Sequence, residues 1–465
     1  MKIIFTYLAF ISLTSFSFGQ IQVPTIKAKS NRASVWLGKQ FYSNAWKMSP
    51  KPQNDPEELG ALVAKEGSLI AIITDMDSIG FMLKQGESRL FRIVLNEKDT
   101  VWAEAKGRYP KGNFDEIYKK ASEGKTFVEI PSAYELVNII MAISPTGVRD
   151  SDLVEHEIPY YQQVQTYFDA FKTHKAVTVM DSLLKANRYY DIKMDSYNYD
   201  FEKGNLMKKG AYNRISWGND NTIEKYIPLF QDFAEKSNFL RFYKKKQSFY
   251  APLIKAYKDS LGVAEMQNWL NKNFPATHYN CFKIIFSPLV AGNQSATDFE
   301  SNGFKEAQAH VNFPYVQFAQ IKEKLTPLSV NVKRGDIVFT ELNHPFENPE
   351  FENEQNFPLF SKIPFNMAVF TTKGKPASSY DNPLRCIQEY MNWGLVSLRY
   401  VDYAPKEDLE ALLKYRDGWM VNYRGFTKFK EFNRFLVDIY TKRPQGKVVA
   451  DLYPQIIQWF SDNNK

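Results

Sequence analysis

The spacing of apolar positions changes once along this chain, near residue 130. Before that point, short β-branched and aromatic runs alternate with turn residues. The runs are Ser68–Thr74 (SLIAIIT), Ser78–Leu83 (SIGFML), Leu90–Asn96 (LFRIVLN) and Thr100–Ala105 (TVWAEA). Between them stand Asp75-Met76-Asp77, Gln85-Gly86-Glu87 and Glu97-Lys98-Asp99. Strands at a spacing of roughly ten residues predict a sandwich or meander. Asp75 and Asp77 read as turn residues, because no downstream Gly or Glu completes a calcium loop. Arg108 to Phe127 reads as a polar connection.

After Pro131 the period becomes helical. Ser132 and Glu135 have the spacing of a capping box, and Leu136, Val137, Ile140, Met141 and Ile143 share one face. Further amphipathic helix is predicted over Tyr160–Lys185, over Asn221–Leu261 (opened by Asn221 and Glu224) and over Val263–Asn271. The apolar run Phe282–Leu289 (FKIIFSPL) predicts a strand, with Thr297–Glu300 and Ala307–Val311 as neighbours. Helices then follow around Tyr315–Leu325, Leu384–Tyr400, Lys428–Tyr440 and Val448–Phe460. The expectation is an α+β protein: a small β-sandwich-like domain over 20–110, then a helix-rich domain with a small sheet over 126–465.

Composition adds limits. Over 465 residues, 44% hydrophobic and 24% charged positions are those of a globular chain and exclude general disorder. Aromatic residues reach 15%, through large cores or through groove lining. The net charge of +7 comes with no nucleic-acid module. Lys2, the apolar stretch Ile3–Leu13 and Ser17-Phe18-Gly19 predict a secretory signal over 1–19, cleaved near Gly19. No later run approaches the roughly 20 apolar residues of a membrane helix. The mature chain is thus expected to be soluble and exported, periplasmic or secreted. Cys281 and Cys386 either pair or remain as buried thiols, and neither lies in a C-x-x-C.

The chemistry-bearing stretch is VFTELNHPFENP, Val338–Pro349. In H-E-x-x-H, two histidines on one helical face bind zinc and the glutamate acts as general base. Here the five positions are Thr340, Glu341, Leu342, Asn343 and His344. Base and second histidine are present, and a threonine replaces the first histidine. Pro345 removes a backbone donor and disfavours helix at His344, so Asp336–Leu342 reads either as helix or as strand. His174, His278 and His310 lack ligand-spaced partners and read as structural.

Five blocks together resemble a known family: SAYELVNIIMAIS (Ser132–Ser144), HKAV (His174–Val177), FKIIFSPLVAG (Phe282–Gly292), FTELNHPFENP (Phe339–Pro349) and IQEYMNW (Ile387–Trp393). They are similar to an uncharacterised group of exported Bacteroidetes-type proteins, the domain-of-unknown-function 4932 family. That resemblance, from roughly Thr126 to the C-terminus, implies a zincin-like architecture and a downstream glutamate as third metal ligand. The glutamate lands on Glu389, which alternatively pairs with Arg385 or Arg399. Thr340 stands where some members have histidine, and Asn343 where T-E-x-D-H members have an acid. The resemblance therefore implies a degenerate metallopeptidase site, weakly active or inactive, with a retained peptide- or glycan-binding cleft. The alternative is an active metal-dependent peptidase in which Glu341, His344 and Glu389 gather around zinc. NAWKMSP (Asn44–Pro50) and ITDMDSIGF (Ile73–Phe81) resemble a small β module, appended for interaction or spacing.

Overall fold

The computed structural model describes residues 23–465 except 219, 316–323 and 381. The expected signal over 1–19 and most of the expected helix at Tyr315–Leu325 lie outside the described residues. Helix makes up 47% and strand 22%, with a strand-rich region preceding a helical one, so the fold class is α+β. No helix among the described residues is long and apolar enough to cross a membrane. The chain divides into two compact units between Pro110 and Lys111.

The first unit has eight strands: β1 (Thr25–Ala28), β2 (Arg32–Leu37), β3 (Gln40–Lys47), β4 (Glu57–Leu62), β5 (Ser68–Ile73), β6 (Ser78–Leu83), β7 (Ser88–Leu95) and β8 (Asp99–Arg108). They form two four-stranded sheets, ordered β1-β7-β8-β4 and β3-β2-β5-β6. Alternate residues of both sheets, among them Val35, Ile70 and Ile72 from one and Phe91, Ile93 and Val101 from the other, make one core. Strands β5 to β8 are the four that alternation predicts. The first four carry weaker patterns: β3 leaves most of its side chains exposed, and β4 is interrupted by Gly60. Gly60 leaves room for the Arg108 side chain, which crosses over it to Glu58. Asp75 is a turn anchor, accepting the backbone N–H groups of Lys29 and Ser30 at 2.9 and 2.8 Å.

The second unit is helical around a four-stranded mixed sheet. Its strands are β9 (Lys125–Glu129), β12 (Cys281–Phe286), β13 (Ser295–Ser301) and β14 (Phe304–Val311), ordered β13-β14-β12-β9; β10 (Tyr199–Glu202) and β11 (Asn205–Lys208) form a separate hairpin. β12 runs parallel to β14 and β9, whereas β13 is an antiparallel edge. β12 is buried at all six positions, because both sheet faces are covered. Phe282, Ile284 and Phe286 enter the large helical core, and Cys281 and Ile285 enter a second cluster with Phe114, Tyr134 and Tyr212. Both cysteines are buried free thiols.

Three local expectations change. The polar connection 108–127 contributes the helix Glu116–Ser122 and the start of β9. Ser132 does not cap its helix: Pro131 is the N-cap, Ser132 donates to Asp200, and the buried Glu135 accepts from the Tyr160 hydroxyl at 2.6 Å. Tertiary partners have taken both halves of the capping box. Finally, Asp336–Glu352 is one helix, with Pro345 and Pro349 inside it.

That last helix, here the motif helix, survives its prolines for physical reasons. Val338, Phe339, Leu342, Phe346 and Phe351 are almost fully buried, and burial of each large side chain is worth about 1.5–3 kcal/mol. Pro349 has no N–H to give the Pro345 carbonyl. The Tyr279 hydroxyl donates to that carbonyl instead, at 3.1 Å. At the helix start, buried Asp336 accepts from Arg416 and from the Tyr400 hydroxyl.

Candidate functional site

The motif helix packs on β13 and β14 on one side and on the long helix Pro383–Tyr403 on another. This arrangement brings Glu389 to the motif across 45 residues of sequence. His344 Nε2 lies 4.0 Å from Glu389 Oε2. Asn392 and Trp393, three and four positions beyond Glu389, share its helical face. The Asn392 amide lies 2.8 Å from His344 Nε2, and Trp393 Nε1 donates to Glu389 Oε1 at 2.8 Å. Glu341 is within electrostatic reach of both His344 and Glu389.

Neither Arg385 nor Arg399 pairs with Glu389. Arg399 donates to the Val332 carbonyl and pairs with Glu265. The partner of Glu389 is Arg424, whose Nη1 lies 2.5 Å from Oε1. Arg424 ends Trp419–Arg424, a π-helical segment, and Gly425 closes it with φ +85°. Such segments are rare and often occur at functional sites. Lys193, on the helix Tyr189–Ser196, donates to the Asn293 carbonyl and also acts electrostatically on Glu341.

Burial sets the charge states. It pushes the Glu341 carboxyl up to about 7, with Glu389 adding to the rise and His344, Lys193 and Arg424 opposing it. It also lowers the Lys193 ammonium to about 7, against the attraction of Glu341. For Glu389 burial is outweighed: Arg424, His344 and the Trp393 hydrogen bond hold its carboxyl below the ordinary range. Burial would likewise lower His344, yet Glu347, Glu341 and Glu389 together raise it to about 9. A protonated His344 donates from both ring nitrogens. In the structure the Asn392 amide nitrogen faces Nε2, and its Oδ1 has no partner.

These residues do not fit zinc. Catalytic zinc needs three protein donors about 2 Å from the ion, with an open fourth position. Thr340 is 2% exposed, and its hydroxyl donates to the Ile337 carbonyl of its own helix at 2.7 Å. Glu389 is committed to Arg424 and Trp393. His344 Nε2 faces the Asn392 amide at 2.8 Å and would have to give up that contact to bind a metal. Among the described residues, no group of three or more His, Cys, Asp or Glu side chains has the arrangement to hold a metal. His344 and Glu389 therefore lie close to each other, without the arrangement of a metal site.

Beside this cluster lies a cleft of about 290 Å³. One wall is the motif helix, through His344, Pro345, Asn348, Pro349 and Glu352; the other is edge strand β13, through Ala296, Thr297 and Asp298. Lys111 and Trp217 also line it. Trp217 is 53% exposed and leans on Tyr190, with ring centroids 5.7 Å apart. The buried Oδ1 of Asn348 has no hydrogen-bond partner.

Sequence reasoning missed Arg424, Lys193, Asn392, Glu347 and Trp217. Glu347 carried a local signal, three positions after His344 on the same helix. Asn392 also lay within a quoted block, three positions after Glu389 on the same helix; Arg424, Lys193 and Trp217 come from distant segments with no motif around them. No family model, no curated protein and no solved structure matches this chain.

Proposed function

We propose that this protein is an exported, zincin-like binding protein whose cleft holds an extended peptide without metal and without appreciable peptidase activity. The observation that carries this reading is the pairing of an open strand edge with a polar cleft. β13 bonds to β14 on one side only, so its other edge presents backbone N–H and C=O groups beside the cleft. An extended peptide adds to such an edge through main-chain hydrogen bonds, with adjoining pockets reading its side chains. A sugar has no matching ladder, which favours peptide over glycan. The unpartnered Asn348 Oδ1 supplies an acceptor, and Trp217 supplies an exposed ring for an apolar or aromatic side chain. That no zinc-competent donor set occurs among the described residues supports binding over hydrolysis.

The experiment is binding of fluorescent unstructured peptides in the presence of a chelator, with hydrolysis followed in parallel. The reading expects saturable binding that the chelator leaves intact, and no cleavage. Metal-dependent cleavage that Glu341→Gln abolishes would replace it with the active-peptidase reading.

A further inference from the structure

We propose that Arg424 is the resident cation of this site: it stands electrostatically where the family resemblance places zinc, and it keeps the site metal-free even when Thr340 is replaced by a ligand. This goes beyond the peptide reading and does not rest on it.

Glu389 has a side chain only 8% exposed, and a buried carboxylate must be compensated by a cation and hydrogen bonds. Arg424 supplies both. Its Nη1 reaches Glu389 at 2.5 Å and its Nη2 reaches the Tyr380 hydroxyl at 3.0 Å. The rings of Phe426 and Trp393 flank the guanidinium at 5.3 and 5.4 Å. The backbone is shaped to deliver it: Arg424 ends the π-helical segment, and the left-handed Gly425 allows an approach to Lys375 that a Cβ, 2.4 Å from the Lys375 Cβ, would block. The carboxylate that the resemblance assigns as third metal ligand thus already has a fixed cation. A guanidinium does not lose its proton in a protein, so an incoming zinc ion must displace it bodily.

The test is zinc content after zinc exposure and dialysis, together with melting temperature with and without zinc. The chains are the native protein, Thr340→His, Arg424→Gln, their double variant, and Thr340→His with Arg424→Lys. Native protein and Thr340→His are expected to stay metal-free, although the latter restores the motif. The folded double variant is expected to retain about one zinc per chain, as a His₂Glu site does, and to melt higher with zinc. With Arg424→Lys the charge persists, so that chain is expected to remain metal-free. Stoichiometric zinc in Thr340→His alone, or in the chain carrying Arg424→Lys, would overturn the proposal. So would a folded double variant that takes up none. Should Arg424→Gln prevent folding, Thr340→His alone still decides.

Discussion

The motif helix makes its most exact demand at Tyr279. Tyr279 is 8% exposed, and its ring packs on Phe346 and Phe282 with centroids 5.3 and 5.8 Å apart. Tyr279→Phe keeps this packing and removes only the hydroxyl. What is lost is the donor to the Pro345 carbonyl, which Pro349 cannot replace. An unsatisfied buried polar group costs about 1–3 kcal/mol. With an unfolding entropy of about 2.1 cal/mol/K per residue, a unit of this size melts about 1–4 °C lower. The assay is a double-mutant cycle by urea unfolding and calorimetry, with Pro349→Ala as the second change. Pro349→Ala restores an N–H for that carbonyl, so Tyr279→Phe should cost only a few tenths of a kcal/mol in its background, a coupling well above the usual error of additivity. The Tyr279 hydroxyl also lies 3.4 Å from Asp298 Oδ2, and the cycle separates the two roles. An unchanged cost of Tyr279→Phe in the Pro349→Ala background would refute the argument.

Three other outcomes are expected. Trp217→Ala should weaken peptide binding about tenfold, equivalent to about 1.4 kcal/mol, and leave thermal stability unchanged; equal affinities would remove Trp217 from the cleft's function. Arg416→Met should destabilise the protein by about 3–5 kcal/mol in urea, because it strands the buried Asp336 carboxylate; a loss below 1 kcal/mol would show that the Tyr400 hydroxyl suffices. The His344 contribution to stability should fall with rising pH between about 6.5 and 9, since His344 is raised in the folded state and its contribution is complete only below its unfolded value; the lowered Lys193 contributes with the opposite sign above about 7, so the difference between the native protein and His344→Gln is what reads it. Glu341 and Glu347, also raised, act in the same direction as His344 from about 4.5 up to about 7 and 8. The Glu389 contribution has the opposite sign, lost as pH falls below its ordinary 4.5, and Glu389→Gln should remove it.

What could be read from the sequence followed from local periodicity. β12 was legible as an unbroken apolar run because it is covered on both faces, and β5 to β8 because they alternate. The long helix Pro383–Tyr403 was legible from its apolar face. The motif helix was not, because the case against it was local and its support is tertiary: a tyrosine from the segment before β12 rescues the proline-freed carbonyl. Strands β1 and β4 escaped for the same reason, their partners β7 and β8 being distant in sequence. Glu341, His344 and Glu389 were legible as neighbours through spacing and resemblance. Arg424 was not, although it decides what those neighbours can do, because nothing around it in sequence marks a π-helical segment aimed at Glu389.

The most direct test of the central claim is hydrogen exchange of the native protein, in chelator, with and without a bound extended peptide. The account predicts added protection in β13, over Ser295–Ser301, and in 344–352 of the motif helix, at the same peptide affinity with and without zinc. Protection confined to other segments, or binding that the chelator abolishes, would contradict it.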